Sequence, residues 1–491
     1  MPRLESLAFF LLIPILGTGP ARPDRAPQGT QPIETATFHV DFGAEGPMGF
    51  SVEADLPIDG QTLDMSTTRP GGIAELDAGG WPALVQGLSV RDAQGASIEA
   101  TRVGPEGWKL ARACSGRIHL SYAVDYSVLQ ELQWPAPRES VWVGEVLQLV
   151  GRSLFITTPA LGPSTVTFEL GIWRAVTPWN ERPGSPPQFA VDSAQQLTEN
   201  LVVLMQSAPD VVEAGGFRLL VVPTGPWIAA RSEVRRVLEA ALPRLVGLIG
   251  VDERANYLVS LLPLAETGGE SFRNSFASTF EEPPSRANSA RWANTIAHEI
   301  FHQWNGWRLR GADYGSTQWF HEGFTEYAAN VSLVAAGLTT PEEFLAKLAE
   351  HVQNRERLAT SLENTGGRKG PPLYSAGALV AFTWDVQIRH ATQGERNLWD
   401  FMRALWERTG RGQWPYEWKD QEAALAATAD LDWEAFHRAH IAGTEPLPLA
   451  ETFALAGVRL ESTPDGLPQL ALDPQSSEAA RALWQGVLSG K

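Results

Sequence analysis

From about residue 35 to 173, apolar and polar residues alternate in short runs. Examples are Thr37-Phe38-His39-Val40-Asp41-Phe42 and Ile118-His119-Leu120-Ser121-Tyr122-Ala123-Val124, with Gly, Pro and Asp breaking such runs roughly every ten residues. Alternation of this kind predicts an antiparallel β domain over residues 35–185. The Pro-rich segment Pro183-Gly184-Ser185-Pro186-Pro187 marks its boundary. Beyond it the periodicity changes. Phe217-Arg218-Leu219-Leu220-Val221-Val222 reads as a strand, and a helix beginning at Ser232 carries Val234, Val237, Leu238 and Leu242 at helical spacing. A further strand over residues 257–262 precedes a Gly-containing segment, after which most of the chain reads as helix. Thr340-Pro341-Glu342-Glu343 combines a hydroxyl N-cap, a proline in the first turn and Glu at the capping-box position. Other helices are expected near 375–391, 396–409, 419–428 and 432–442, with no repeats or low-complexity tracts. The class is therefore α+β: an N-terminal antiparallel β domain, a mixed domain over 190–335, a helical domain over 336–455 and a short tail over 456–491.

Composition narrows the chemistry. The 491 residues suggest about three domains at roughly 150 residues each, and 43% apolar content excludes a disordered chain. With 39 basic against 57 acidic residues, the net charge of -18 opposes a polyphosphate surface and argues against nucleic acid as a partner. The single cysteine, Cys114, excludes internal disulfides, Cys-rich zinc modules and iron-sulfur clusters, so a bound metal must use nitrogen and oxygen ligands. The apolar run at residues 7–16 is too short to span a bilayer and is followed by small residues. It predicts a signal peptide over 1–21 and an exported protein, periplasmic or secreted, with a disordered apolar leader on a cytoplasmic protein as the alternative, and no membrane span in the mature chain. Residues 22–34 read as a flexible lead-in.

One segment carries specific chemistry: Thr295-Ile296-Ala297-His298-Glu299-Ile300-Phe301-His302-Gln303-Trp304-Asn305. Histidines four apart on a helix present their rings from one face, the geometry that holds one zinc ion with two nitrogens. Glu299 then lies beside the metal, where it can take a proton from water. The metzincin extension fails, because Asn305 and Arg308 stand where Gly and His would be needed. A third ligand is expected from Trp319-Phe320-His321-Glu322-Gly323-Phe324-Thr325-Glu326-Tyr327, a second helix on which Glu322 is the better candidate. His321 points about 100 degrees away from Glu322. Glu326, one turn on, either accepts a hydrogen bond from a ligand histidine or is a solvated helix glutamate. Tyr374 opens a helix after Pro371-Pro372, from which its phenol could reach a site, unless it is an amphipathic tyrosine at a domain seam.

Together these residues resemble the gluzincin metallopeptidases, and in detail are most similar to the glycyl aminopeptidase family. The segments that carry the resemblance are His298 to Asn305, Trp319 to Tyr327, and Leu373-Tyr374-Ser375-Ala376-Gly377-Ala378-Leu379-Val380 followed by Asp385. A fourth is Gly443-Thr444-Glu445-Pro446-Leu447-Pro448-Leu449 leading to Ala456-Gly457-Val458. The resemblance implies a thermolysin-like catalytic domain over 190–335 behind the β domain, one zinc ion per chain, a peptide substrate, and cleavage near its amino end. It also implies that Tyr374 hydrogen-bonds the tetrahedral oxyanion. Related aminopeptidases carry Gly-Gly-x-Glu on an edge strand along the cleft, which makes Gly268, Gly269 and Glu270 the candidate substrate-binding positions. Ser271 occupies the glutamate position, however, with Glu270 one residue early. An endopeptidase, another amide or ester hydrolase, and a non-catalytic peptide-binding protein therefore remain open alternatives. About 35 residues follow Gly457, so the PDZ-like module that often ends the family is expected to be missing or reduced to a stub.

Overall fold

The alternating segments pair into two sheets in the computed structural model, which describes residues 35–42, 49–65, 79–127, 141–250, 255–263, 268–280, 282, 285–365 and 370–491. The expected signal peptide lies outside the described residues. A nine-stranded sheet is built around the long strands Gly49–Asp64 and Gly107–Asp125, whose apolar residues alternate inward. One pairing departs from the antiparallel expectation: Ala36–Phe42 runs parallel to Ser164–Glu169. Pairing also continues past the Pro-rich segment. Gln188–Val191 joins the large sheet, and Leu201–Met205 joins a four-stranded sheet beside Val146–Val150.

The next sheet has five strands, in the order Asp210–Ala214, Phe217–Pro223, Ala255–Leu262, Ser275–Thr279 and Gly268–Ser271. Its inner strands read as continuous apolar runs because both faces are covered. Phe217, Leu219, Val221, Tyr257, Val259 and Leu261 join the core beneath the helices. Leu220, Val222, Leu258 and Leu262 face the other way, into the core of the N-terminal sheets. Gly268–Ser271 is the terminal strand of this sheet, antiparallel to Ser275–Thr279.

Helices Arg231–Ile249 and Ser289–Phe301 contact each other on the helix-side core, and Gln318–Ala335 packs against both. Helix Pro341–Arg355 begins with the expected capping box, Thr340 Oγ1 accepting from the Glu343 amide at 3.1 Å. Helix Pro371–Ala391 starts a turn earlier than expected, which puts Tyr374 in its first turn. It crosses Gln318–Ala335 at a glycine pair: a Cβ on Gly323 would lie 2.2 Å from the Gly377 carbonyl carbon, and one on Gly377 would lie 2.0 Å from Trp319 O. The tail forms a hairpin of Val458–Ser462 with Pro468–Leu472 and a helix Glu478–Ser489. Trp484 and Val487 of that helix are buried in the helix-side core. No helix among the described residues is long and apolar enough to cross a membrane.

Candidate metal centre

His298 lies in the last turn of Ser289–Phe301 and His302 caps that helix, so their four-residue spacing stacks the rings on one face. The two Nε2 atoms are 3.2 Å apart. His302 Nδ1 donates to the Asn305 carbonyl at 2.9 Å, and His298 Nδ1 donates to Glu326 Oε2 at 3.3 Å. With Nδ1 engaged on each ring, Nε2 is the nitrogen that faces the centre. Glu322 Oε2 stands 3.4 Å from one Nε2 and 3.5 Å from the other. Two imidazole nitrogens and a carboxylate oxygen converging at these distances form a nitrogen-oxygen donor set that favours positive charge among them and suits zinc. The surrounding field points the same way. Burial opposes a charge on His298, yet the Glu322 and Glu326 carboxylates outweigh it and raise its pKa to about 10.

A second carboxylate is close by. The donor atoms of His298, Glu299 and His302 all lie within 4.8 Å of one another. Glu322 is nearer to both nitrogens, whereas Glu299 Oε2 is buried with no hydrogen-bond partner. Tyr257, on the sheet beneath, donates to the Glu299 carbonyl at 3.2 Å. Tyr374 stacks on His298, with centroids 5.8 Å apart and planes 15° from parallel. Its hydroxyl is hydrogen-bonded to Glu322, and burial followed by the Glu322 charge pushes the phenol well above its ordinary pKa.

Glu326 is buried rather than solvated. Burial resists its charge, but the hydrogen bond from His298 and the Lys347 ammonium hold its carboxyl far below the usual range. Lys347 Nζ is 3.8 Å from Glu326 Oε1 and His351 Nε2 is 3.9 Å from it, while His351 Nδ1 meets Ser375 Oγ at 3.0 Å. Sequence reasoning missed Lys347 and His351, whose four-residue spacing on Pro341–Arg355 was the one available signal. It also missed the work of Asn305, whose Nδ2 donates to Phe320 O at 2.9 Å and His321 O at 3.1 Å, tying the end of one ligand helix to the start of the other. His321 faces elsewhere, with its Nε2 3.3 Å from the Tyr416 hydroxyl.

On the edge strand, register separates the neighbours Glu270 and Ser271. Ser271 pairs with Phe276, whose ring is in the helix-side core, and Glu270 pairs with Ala277, which belongs to the N-terminal core. Paired residues share a face, so Ser271 and Gly269 project towards the metal centre's side and Glu270 projects away. Glu270 and Ser271 thus lie on opposite faces, as the alternation of a strand requires. Gly269 is required where it stands, because a Cβ would lie 2.1 Å from Phe276 Cζ.

Residues 291–376 match the family model of the M61 glycyl aminopeptidases, a stretch that contains His298, Glu299, His302, Glu322 and Tyr374. That match and the His298, Glu299, His302 cluster make the chain a zinc metallopeptidase. The fold of this peptidase is similar to that of an aminopeptidase N family protein from Idiomarina loihiensis, at 18% identity, with 91% of this chain and 82% of that one covered and a TM-score of 0.70. It is also similar to a two-domain M1 zinc metallopeptidase variant bound to L-tryptophan, at 14% identity, 84% and 94% coverage and a TM-score of 0.52. A third is an M1 zinc metallopeptidase variant from Deinococcus radiodurans bound to the substrate Tyr-Ser-Ala, at 16% identity, with the same coverage and a TM-score of 0.51. No curated protein matches the peptidase.

Proposed function

We propose that the peptidase is aminopeptidase-like, that His298, His302 and Glu322 hold its zinc, and that Glu299 and Tyr374 carry the proton and oxyanion chemistry. The observation that carries this reading is the pair of imidazole Nε2 atoms facing Glu322 Oε2, with Glu299 Oε2 buried and unpartnered beside them. Zinc, when bound, supplies Lewis acidity at the scissile carbonyl and brings the pKa of water towards about 7. Glu299 removes the proton from the attacking water and later returns it to the leaving amine. The Tyr374 phenol, kept protonated by burial, donates to the tetrahedral oxyanion, a contribution of order 3 kcal/mol for one well-placed donor. Glu326 orients His298 through its Nδ1 proton, and the Asn305 carbonyl does the same for His302. The backbone of Gly268–Ser271, at the edge of its sheet, supports pairing with an extended peptide.

The structural relatives bound to a free amino acid and to a tripeptide favour short substrates with free amino termini. Ser271 favours a second reading, an endopeptidase, because the register places no carboxylate at that position on the cleft side. The test is zinc content and peptide hydrolysis, measured on wild type and Glu299→Gln with free and amino-acetylated peptides. We expect one zinc per chain in both proteins, a fall in kcat of at least about 100-fold in the variant, and poorer cleavage of acetylated peptides. Undiminished hydrolysis by zinc-loaded Glu299→Gln would falsify the mechanism; equal cleavage of acetylated peptides would replace the aminopeptidase by the endopeptidase. The apolar run at residues 7–16 is the ground for reading the enzyme as exported, and the amino-terminal sequence of the mature protein checks it.

A further inference from the structure

A hollow of about 410 Å3 lies where the segments running on from Ser271 and from His302 meet, and is lined by four arginines, Arg273, Arg308, Arg310 and Arg411, with no aspartate or glutamate in its lining. In a chain of net charge -18 this is a local concentration of the minority sign. Two of its walls continue directly from the site. Arg273 lies two residues beyond Ser271, and its carbonyl accepts from the Gln303 side chain, which also accepts from Asn274 Nδ2 at 2.7 Å. Trp307 and Arg308 follow from His302, with the Trp307 amide donating to the His302 carbonyl at 3.1 Å.

The arginines are arranged rather than loose. Arg273 lies 5.9 Å from the centroid of the Trp307 ring and Arg308 lies 5.5 Å from that of Trp406, so aromatic faces hold both guanidinium groups at the hollow. Arg273 Nη1 donates to Gln195 Oε1, a neutral partner. Arg411 is paired with Glu407, outside the lining, at 3.1 Å, and Arg310 is exposed. Burial, then the neighbouring Arg310 and Arg308 charges, hold the Arg273 guanidinium below its ordinary pKa, outweighing the Asp192 carboxylate, which acts the other way from outside the lining. Gathering like charges costs free energy that an anion in their midst returns, and the planar guanidinium fork matches a carboxylate bidentately.

We propose that this hollow is a carboxylate-binding subsite, so that the enzyme prefers peptides carrying a carboxylate within reach of the scissile bond. The proposal rests on the peptidase reading above. The carboxylate belongs either to an acidic side chain or to the carboxyl terminus of a short substrate. Inorganic anions share the charge but not the peptide backbone that the edge strand would hold.

The test separates the subsite from the catalysis. Zinc-loaded Glu299→Gln is titrated with matched peptides, reading tryptophan fluorescence: a Glu peptide and its Gln counterpart, both amidated at the carboxyl terminus, and the Gln peptide with a free carboxyl terminus. At least about tenfold tighter binding is expected for one carboxylate form over the uncharged peptide, the size of a charge-assisted hydrogen bond in a partly buried site. The Glu arm identifies a side chain and the free-terminus arm a short substrate. Adding Arg310→Gln, an exposed position whose loss leaves the fold intact, removes most of that preference. In Arg235→Gln, on helix Arg231–Ile249 outside the hollow, the preference is unchanged. Equal affinity for all three peptides, or a preference that survives Arg310→Gln together with Arg308→Gln, overturns the subsite. Wild type that hydrolyses none of the peptides while the binding preference holds would instead defeat the peptidase mechanism and leave the subsite standing.

Discussion

Tyr374 meets the metal centre twice, through its ring on His298 and through its hydroxyl at Glu322. Tyr374→Phe keeps the stacking and removes only the donor. The expected outcome in steady-state kinetics is a fall in kcat of about 100-fold with KM little changed and zinc retained. His351 offers a check on the polar network behind the site. Burial and then the Lys347 charge lower its pKa to about 3, so it is neutral in the fold, whereas in the unfolded chain it takes a proton below about pH 6.5. The unfolded state therefore binds more protons between these values, and stability falls as pH drops from 6.5 towards 3. From pH 7 to pH 5 this one group costs about 2 kcal/mol. Urea unfolding at the two pH values should show a loss smaller by about that amount in His351→Gln. The sequence disclosed the histidine pair because an i,i+4 spacing is a local fact of helices. It did not disclose Lys347 or His351, which reach Glu326 only because a third helix packs beside the second.

The Glu-Gly-Phe and Ser-Ala-Gly motifs acquire a physical reason at the crossing of Gln318–Ala335 with Pro371–Ala391. Backbone meets backbone there at Gly323 and Gly377, and that approach brings Glu322 and Tyr374 to the same imidazole. A methyl group has nowhere to go, since the opposing atoms are main chain rather than the ends of flexible side chains. Gly323→Ala should cost about 1–3 kcal/mol in urea unfolding and weaken zinc binding in chelator competition, because the helices must separate and Glu322 moves with them. Gly247→Ala, in the helix Arg231–Ile249 with open space around the new methyl, should instead stabilise by about 0.5–1 kcal/mol. Strand and helix positions were legible from periodicity, including the apolar runs of the central sheet. That Glu270 and Ser271 face opposite ways was legible from strand alternation, but which core each faces was not, because only pairing with Ser275–Thr279 fixes the register.

The tail binds the molecule together in a way no local pattern announced. Trp484 stacks on Phe344 with centroids 5.8 Å apart, and the Arg389 guanidinium, paired with Asp385 at 2.9 Å, also reaches the carbonyl of Lys491. Trp484→Ala should lower stability by about 3–5 kcal/mol while the folded protein still binds one zinc, as chemical unfolding and metal analysis would show. The N-terminal sheets and the central sheet are likewise continuous across a shared core, so that sheet is buried on both faces. The amino-acid order by itself determined what depends on neighbours a turn or two apart: the paired histidines, the glutamate between them, the capped helices and the alternating strands. The tertiary structure decided which distant groups meet: Glu322 with the imidazoles, Tyr374 with His298, Lys347 with Glu326, and four arginines around one hollow. The difference is physical, because helical and strand periodicity is set by backbone geometry within a few residues. Contact between separated segments is set by how their apolar faces bury one another, and that is a property of the whole chain.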